Sequence, residues 1–237
     1  MVALILLSAP AVGVASAAHE EPDRTVVGFE LGPRGSATVH HTTAFDLSND
    51  EERATYRRYA DNESRRAAFR DEVVAELRAA AENGSAATGY NMSIRNATVR
   101  TEEAEGFGRV VVRVDWHALA YYDERRVILF EPFRAGYRPD RDVAVHGPEG
   151  YRRNRTAPPP VRARRNSVLI STRTSDLSNF FVEFVDPDAA TPTATVTATA
   201  TATPPDDGGA GDAAVAIRAL VLALLPAALF VAAIGRD

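Results

Sequence analysis

The sequence predicts an α+β domain, in which one or two amphipathic helices pack on an antiparallel sheet, followed by a C-terminal transmembrane helix. Three observations support this fold class. Two β-prone runs flank a turn near Pro33, two helical segments follow between residues 48 and 82, and β-prone runs dominate the chain from there to residue 185. Strands that precede and follow a block of helices, without regular βαβ alternation, are typical of α+β folds.

The first two strands are predicted to form a hairpin. Thr25–Leu31 and Ala37–Phe45 have strand character, and the turn Gly32–Gly35 joins them. Gly and Pro between two β-prone runs are the expected chemistry of such a connection. The globular part of the chain is therefore predicted to begin with a pair of antiparallel strands.

Two helices are predicted next. Ser48 and Asn49 can cap a first helix that ends near Ala60, since acidic residues follow in the first turn. A second helix is predicted from Glu63 to Glu82, where Asn83-Gly84 is expected to end it. Four apolar residues recur at every fourth position of this helix and predict one buried face: Phe69, Val73, Leu77 and Ala81. A helix lying on a membrane surface is the alternative, which the mixed charge of the polar face disfavours.

The remaining strands are predicted from alternation and from β-branched or aromatic residues. The strongest is Arg109–Trp116, in which Val110, Val112 and Val114 share one face with Trp116. Further strands are predicted over residues 91–101, 125–130, 142–146, 168–171 and 180–185.

The two ends of the chain predict an exported, anchored protein. Val2–Leu7 is apolar, and Ala15-Ser16-Ala17 fits a signal-peptide cleavage site. Near the C-terminus, Ala213–Ile234 is long and apolar enough to span a membrane, with Arg218 near its outer end. The resulting domain organisation is a signal peptide (1–17), an extracytoplasmic domain (18–187), a stalk (188–212), a transmembrane helix (213–234) and a cytoplasmic tail (235–237).

The predicted stalk is rich in Thr, Pro and Gly. Thr residues alternate mainly with Ala between residues 191 and 203, and Pro and Gly flank this run. Thr-rich segments with Pro are typical of O-glycosylated stalks, which hold a domain away from a membrane. Five Asn residues also stand in Asn-x-Ser/Thr sequons and are candidate N-glycosylation sites: Asn62, Asn83, Asn91, Asn96 and Asn154.

Composition narrows the chemistry that we expect. The 237 residues include no Cys, which excludes disulfides, thiolate metal sites and a cysteine nucleophile. Neither a G-x-S-x-G nor an H-E-x-x-H motif is present. Asp115 and His117 would share a strand face, but only a distant His40 or His146 could complete a zinc site. We therefore expect no catalytic residues, no metal and no cofactor, and keep a surface hydrolase as a third hypothesis.

The segment Tyr151–Arg165 is strongly basic. It contains six arginines and no acidic residue: Arg152, Arg153, Arg155, Arg162, Arg164 and Arg165. Pro158–Pro160 predicts a polyproline-type loop. Because Arg binds planar oxyanions through paired hydrogen bonds, these residues are candidates for phosphate, sulfate or uronate binding. Acidic residues of Asp46–Glu82 could instead neutralise them. Aromatic residues are too sparse here for a nucleic-acid interface.

Several short motifs follow one another in a characteristic order: G-S-A-T-V from Gly35, R-V-V-V-R-V-D-W from Arg109, F-R-A-G from Phe133 and P-E-G-Y from Pro148. This order resembles that of a haloarchaeal family of exported, membrane-anchored domains of unknown function. The resemblance covers about residues 25–185 and implies no catalytic residue. In some relatives a similar domain precedes a membrane helix and a winged-helix segment, which implies sensing.

We therefore expect a non-enzymatic cell-surface protein, anchored by a single membrane pass with its N-terminal domain outside. Its expected partners are the membrane, surface-layer glycans or envelope proteins, and not nucleic acid. The alternative is an extracytoplasmic sensor or accessory subunit that signals through a membrane partner, because only residues 235–237 follow the predicted span.

Overall fold

The computed structural model describes residues 23–189. The chain divides into two compact units, residues 1–191 and 192–237, and the described residues lie in the first. The predicted signal peptide, the transmembrane helix and nearly all of the stalk lie outside the described residues. Within residues 23–189, no helix has the length and apolar character needed to cross a membrane.

The described residues form two helices and eleven strands. In chain order they are β1 (Val26–Leu31), β2 (Ala37–Asp46), α1 (Asp50–Ala60), α2 (Glu63–Thr88), β3 (Ser93–Ala104), β4 (Phe107–His117), β5 (Tyr121–Tyr122), β6 (Arg126–Leu129), β7 (Asp142–His146), β8 (Arg152–Ala157), β9 (Arg162–Arg164), β10 (Ser167–Ile170) and β11 (Phe181–Val185).

The strands form two sheets. Sheet A has the order β3-β4-β2-β1-β7-β10-β9, and sheet B has the order β5-β6-β11-β8. Every pairing is antiparallel except that of β1 with β7, which is parallel. The α+β class is thus confirmed, whereas the expectation of one antiparallel sheet is corrected to two sheets, one of them mixed.

The main core joins the two sheets and α2 in one apolar cluster. Phe29 of β1 lies 5.6 Å, centroid to centroid, from the ring of Phe133, and Phe133 lies 4.1 Å from Phe180. Val182 and Phe184 of sheet B are fully buried in the same cluster. Because both sheets contribute to one core, they pack against each other through their apolar faces.

Helix α2 packs on sheet A as its four-residue apolar period predicts. Val73, Leu77 and Ala81 are buried, and the Asn62 side chain caps the helix by accepting from Arg65 N–H. The helix does not end at Asn83-Gly84, as the sequence predicts, but continues to Thr88. Gly84 belongs to the buried face, where a Cβ atom would come within 2.8 Å of the Met92 Sδ atom. This glycine therefore permits close packing instead of ending the helix.

Helix α1 packs on sheet A through two tyrosines, Tyr56 and Tyr59, whose rings both contact Phe45 of β2. Tyr56, its buried residue, lies on the backbone of Gly108 in β4 and donates a hydrogen bond to the Glu102 carbonyl at 3.3 Å. A Cβ atom at Gly108 would lie 2.6 Å from Tyr56 Cγ, which is too close for any side chain there. Because Gly108 has no side chain, the Tyr56 ring can pack on β4, and this contact is the seat of α1 on the sheet.

The basic segment is not the continuous polyproline-type loop that the sequence predicts. Residues Arg152–Ala157 and Arg162–Arg164 are strands, and only the segment around Pro158–Pro160 is irregular. Each strand is the last of its sheet. An edge strand needs no apolar face, and charged side chains protect it from pairing with other chains.

Substitution of Gly108→Ala should destabilise the domain by about 1–3 kcal/mol, because the new methyl group overpacks the site of Tyr56. Urea denaturation measures this loss. In a Tyr56→Ala background the same substitution should cost much less, since the two residues are in direct contact. Equal costs in both backgrounds would contradict the proposed seat.

Candidate functional site

The six arginines of the basic segment lie at one edge of the domain, which we call the basic edge. β8 closes sheet B and β9 closes sheet A. The backbone N–H of Arg153 in β8 donates to the carbonyl of Arg165, in the turn after β9, at 2.8 Å. The last strands of the two sheets are therefore joined at this edge.

The arginines of the two strands occupy different faces. Arg162 and Arg164 pair with Leu169 and Ser167 across sheet A, and Leu169 belongs to a small cluster separate from the main core. Arg155 pairs with Glu183 across sheet B, between the core residues of β11. Since side chains alternate along a strand, both sets project away from the main core. The basic edge therefore extends around the end of the two packed sheets.

Few of these charges are neutralised by described acidic residues. Arg155 Nε lies 2.9 Å from Glu183 Oε2, and its guanidinium lies over the ring of Phe181. Arg152, Arg153, Arg164 and Arg165 form no ion pair with any carboxylate of residues 23–189, so neutralisation by the helical segment is not observed for them. Arg152, Arg164 and Arg165 are also exposed.

A buried carboxylate, Glu183, lies beside the basic edge. It is only 2% exposed, and its Oε2 accepts from Asn154 Nδ2 at 2.7 Å and from Arg155 Nε at 2.9 Å. Arg126 Nη1 lies 3.4 Å from the other oxygen. Burial raises the pKa of a carboxyl group, but the hydrogen bonds from Arg155 and Asn154 outweigh it and hold the pKa of Glu183 below its ordinary value.

Glu183 lines an open groove of about 620 Å³, which we call the polar groove because most of its lining residues are charged. A second carboxylate in the groove, Asp123, accepts from Arg126 Nε at 2.8 Å and from the backbone N–H of Arg125 at 2.9 Å. These bonds lower the pKa of Asp123. The groove is lined by Asp123, Glu124, Arg125, Arg126, Asn154, Glu183, Val185 and Asp186. It presents fixed charges, with both central carboxylates ionised at neutral pH.

The histidines are dispersed. His40 and His41 are consecutive in β2 and so face opposite sides of sheet A, as the sequence predicts. His41 contacts Phe69 and Arg141, and burial, followed by the charge of Arg141, lowers its pKa to about 3. Asp115 pairs with Arg113 at 3.3 Å, while His117 is exposed. Within the described part of the chain, no group of three or more His, Asp or Glu residues could hold a metal ion.

The five sequon asparagines are all exposed, but their side chains differ in environment. Asn62 caps α2, Asn83 lies within α2, and Asn91 lies in the connection from α2 to β3. Asn96 donates through Nδ2 to Asp115 at 2.8 Å, as Asn154 does to Glu183. The nitrogen that would carry a glycan is therefore already hydrogen-bonded at two of the five. Glycosylation stays a prediction for all of them.

Sequence reasoning missed the role of Glu183. The residue lies between Val182 and Phe184, within a strand that the sequence predicts from its apolar neighbours. A lone acid inside such a strand is the one available signal, because a buried carboxylate needs donors close by. Its partners lie 28, 29 and 57 positions away in sequence, so the fold alone identifies them.

The pH dependence of stability tests the state of Glu183. Because its pKa is lowered in the folded protein, the ionised group stabilises the fold above its ordinary pKa of about 4.3. That contribution is lost as pH falls through the folded value. Glu183→Gln should therefore lower the free energy of unfolding at about pH 7, and the difference from wild type should shrink below about pH 4.

Urea denaturation across this pH range provides the measurement. Glu124→Gln is the matched control, since Glu124 lines the same groove but is exposed. The control should show little change at any pH. A constant difference between Glu183→Gln and wild type would contradict a lowered pKa.

Comparison with known families gives one match. A domain of unknown function, DUF7345, matches residues 29–151, just over half of the chain. The match runs from β1 to the residue before β8, so the basic edge lies outside the matched residues. No curated protein matches the chain. The chain therefore belongs to the DUF7345 family of domains of unknown function.

Proposed function

We propose that this protein is a non-enzymatic, haloarchaeal cell-surface protein whose exported domain binds anionic groups of the envelope through its basic edge. One observation carries the proposal: Arg152, Arg164 and Arg165 are exposed at the meeting point of two sheets, without an ion pair to any described carboxylate. Exposed cations on two edge strands and on the turn after β9 are available to an external anion.

The chemistry of arginine specifies the ligand class. Its planar guanidinium forms paired, charge-assisted hydrogen bonds with sulfate, phosphate and carboxylate groups. A single exposed ion pair contributes only about 0–1 kcal/mol, so useful affinity requires several contacts to one polyanion. A surface glycan that carries sulfate or uronate groups provides such repeated contacts. The distribution of the arginines around the edge suits an extended chain better than a small anion.

Salt sets a further condition. The Debye length falls to about 3 Å at 1 M salt, so attraction between distant charges is screened in a halophile's medium. Binding there depends on direct hydrogen bonds. Arginine, with five N–H donors in a fixed fork, meets this condition better than lysine, and all 27 basic residues of the chain are Arg.

The polar groove supports a binding role over hydrolysis. A general acid at neutral pH needs a raised carboxyl pKa, whereas the pKa values of Asp123 and Glu183 are both lowered. Both carboxylates also hold arginines in place through hydrogen bonds. These groups are suited to fixing the side chains that surround a ligand.

The membrane anchor of the proposed protein is inferred from the sequence. Ala213–Ile234 would cross the membrane once, residues 188–212 would act as a glycosylated spacer, and the leader 1–17 would direct export. This arrangement would hold the domain outside the cell, in contact with the envelope.

Neutralising the basic edge tests the binding function. The triple variant R152S/R164S/R165S should bind heparin, which carries sulfate and uronate groups, at least about tenfold more weakly than wild type, equivalent to about 1.4 kcal/mol. The control R57S/R58S/R78S removes the same charge from exposed helix positions. Its affinity should change little. Equal losses of heparin affinity in both variants would mean that net charge alone governs binding, and would contradict a binding site at the basic edge.

Protease treatment of intact cells tests the anchoring. We expect external trypsin to release fragments of residues 23–189, and deletion of residues 213–234 to move the domain into the medium. Protection of the domain until the cells are lysed would contradict an outside location.

A further inference from the structure

A second groove, of about 600 Å³, shares no lining residue with the polar groove and has mainly apolar walls. It is formed where the connection from α2 to β3 meets β5 and the turn before it. The residues lining it include three tyrosines and one sequon asparagine: Gly89, Tyr90, Asn91, Ala118, Ala120, Tyr121 and Tyr122. We call it the tyrosine groove.

Its tyrosines are only partly used by the fold. Tyr90 packs against the main core, and Tyr121 donates to Asp123 at 3.3 Å. Tyr122 is 52% exposed and is, with Val161, one of the two large hydrophobic residues that are exposed among residues 23–189. A tyrosine ring that lines an apolar groove presents a flat apolar surface with a polar end.

Asn91 supplies the link to a ligand. It belongs to the sequon Asn91-Met92-Ser93 and itself lines the groove. Its side chain is exposed and forms no hydrogen bond with other described residues, in contrast to Asn96 and Asn154. The connection on which it lies is also irregular. Asn91 thus combines an accessible amide with an adjacent aromatic surface.

We infer that Asn91 carries an N-linked glycan whose first sugar residues pack in the tyrosine groove against Tyr90 and Tyr122. A sugar ring has an apolar C–H face and a polar rim, which match the ring face and the hydroxyl end of tyrosine. Tethering at the rim of the groove gives the sugar a high effective concentration, so weak contacts suffice. The groove lies within the usual size range of small-molecule sites.

Attachment requires an oligosaccharide on a polyprenyl-phosphate carrier as co-reactant. A bond forms between Asn91 Nδ2 and the sugar C1, the bond from C1 to the carrier oxygen breaks, and the amide proton leaves with the carrier phosphate. The inference rests on the export included in the proposed function, but not on the basic edge.

Protein purified from its own membranes provides the test. Glycopeptide mass spectrometry should find Asn91 occupied, and hydroxyl-radical footprinting should find Tyr122 protected. Asn91→Gln should expose Tyr122 and lower the melting temperature by about 2–4 °C, the shift that a modest packing contribution produces in a domain of this size. Asn83→Gln, which removes an exposed sequon of α2 outside the groove and no helix cap, should change neither quantity. Ser93→Ala should reproduce the Asn91→Gln result while leaving Asn91 in place.

The outcomes separate this inference from the proposed function. An unmodified Asn91 beside an occupied Asn62 would overturn the inference and leave the exported domain intact. Full occupancy of Asn91 with the same Tyr122 footprint in wild type and Asn91→Gln would overturn the sugar site alone. Absence of glycan from all five sequons would overturn the inference and also count against export.

Discussion

The parallel pairing of β1 with β7 is the contact on which the architecture depends. β1 lies at the centre of sheet A, between its hairpin partner β2 and β7, and Val27 and Phe29 align with Val143 and Val145. These four residues are fully buried. The pairing joins the N-terminal half of the domain to the C-terminal strands, since β10 and β9 extend the sheet from β7.

The basic edge is a consequence of this arrangement. Once β7 is paired, β10 and β9 complete sheet A, and β11 and β8 complete sheet B, so two short edge strands end beside each other. Charged residues suit such edges because they prevent strand addition by other chains. In this protein the Arg153–Arg165 hydrogen bond joins the edges, and Glu183 holds Arg155 on the neighbouring face. One set of arginines can therefore protect the edge and present cations to a ligand.

Sequence patterns predicted elements well where local chemistry dictates structure. The hairpin, both helices and β7 were found because alternation, capping and apolar periodicity act over short spans. Sequence patterns could not show that β1 and β7 are parallel partners, because alternation predicts a strand but not the strand with which it pairs. β8 and β9 were missed, since Arg-rich edge strands have no apolar face. The sequence predicts that Gly84 ends the helix, whereas in the structure it lies inside α2 and makes room for Met92. The basic cluster was visible in sequence, whereas Glu183 and the tyrosine groove required the fold.

The central claim is that the basic edge, and not net charge, contacts an anionic glycan. Arginine-selective modification by phenylglyoxal, followed by peptide mass spectrometry, measures this contact residue by residue. With saturating sulfated polysaccharide, we expect slower modification of Arg152, Arg164 and Arg165, while Arg57 and Arg58 on α1 react at their unbound rates. Equal protection of the edge and the helix, or no protection at the edge, would contradict it.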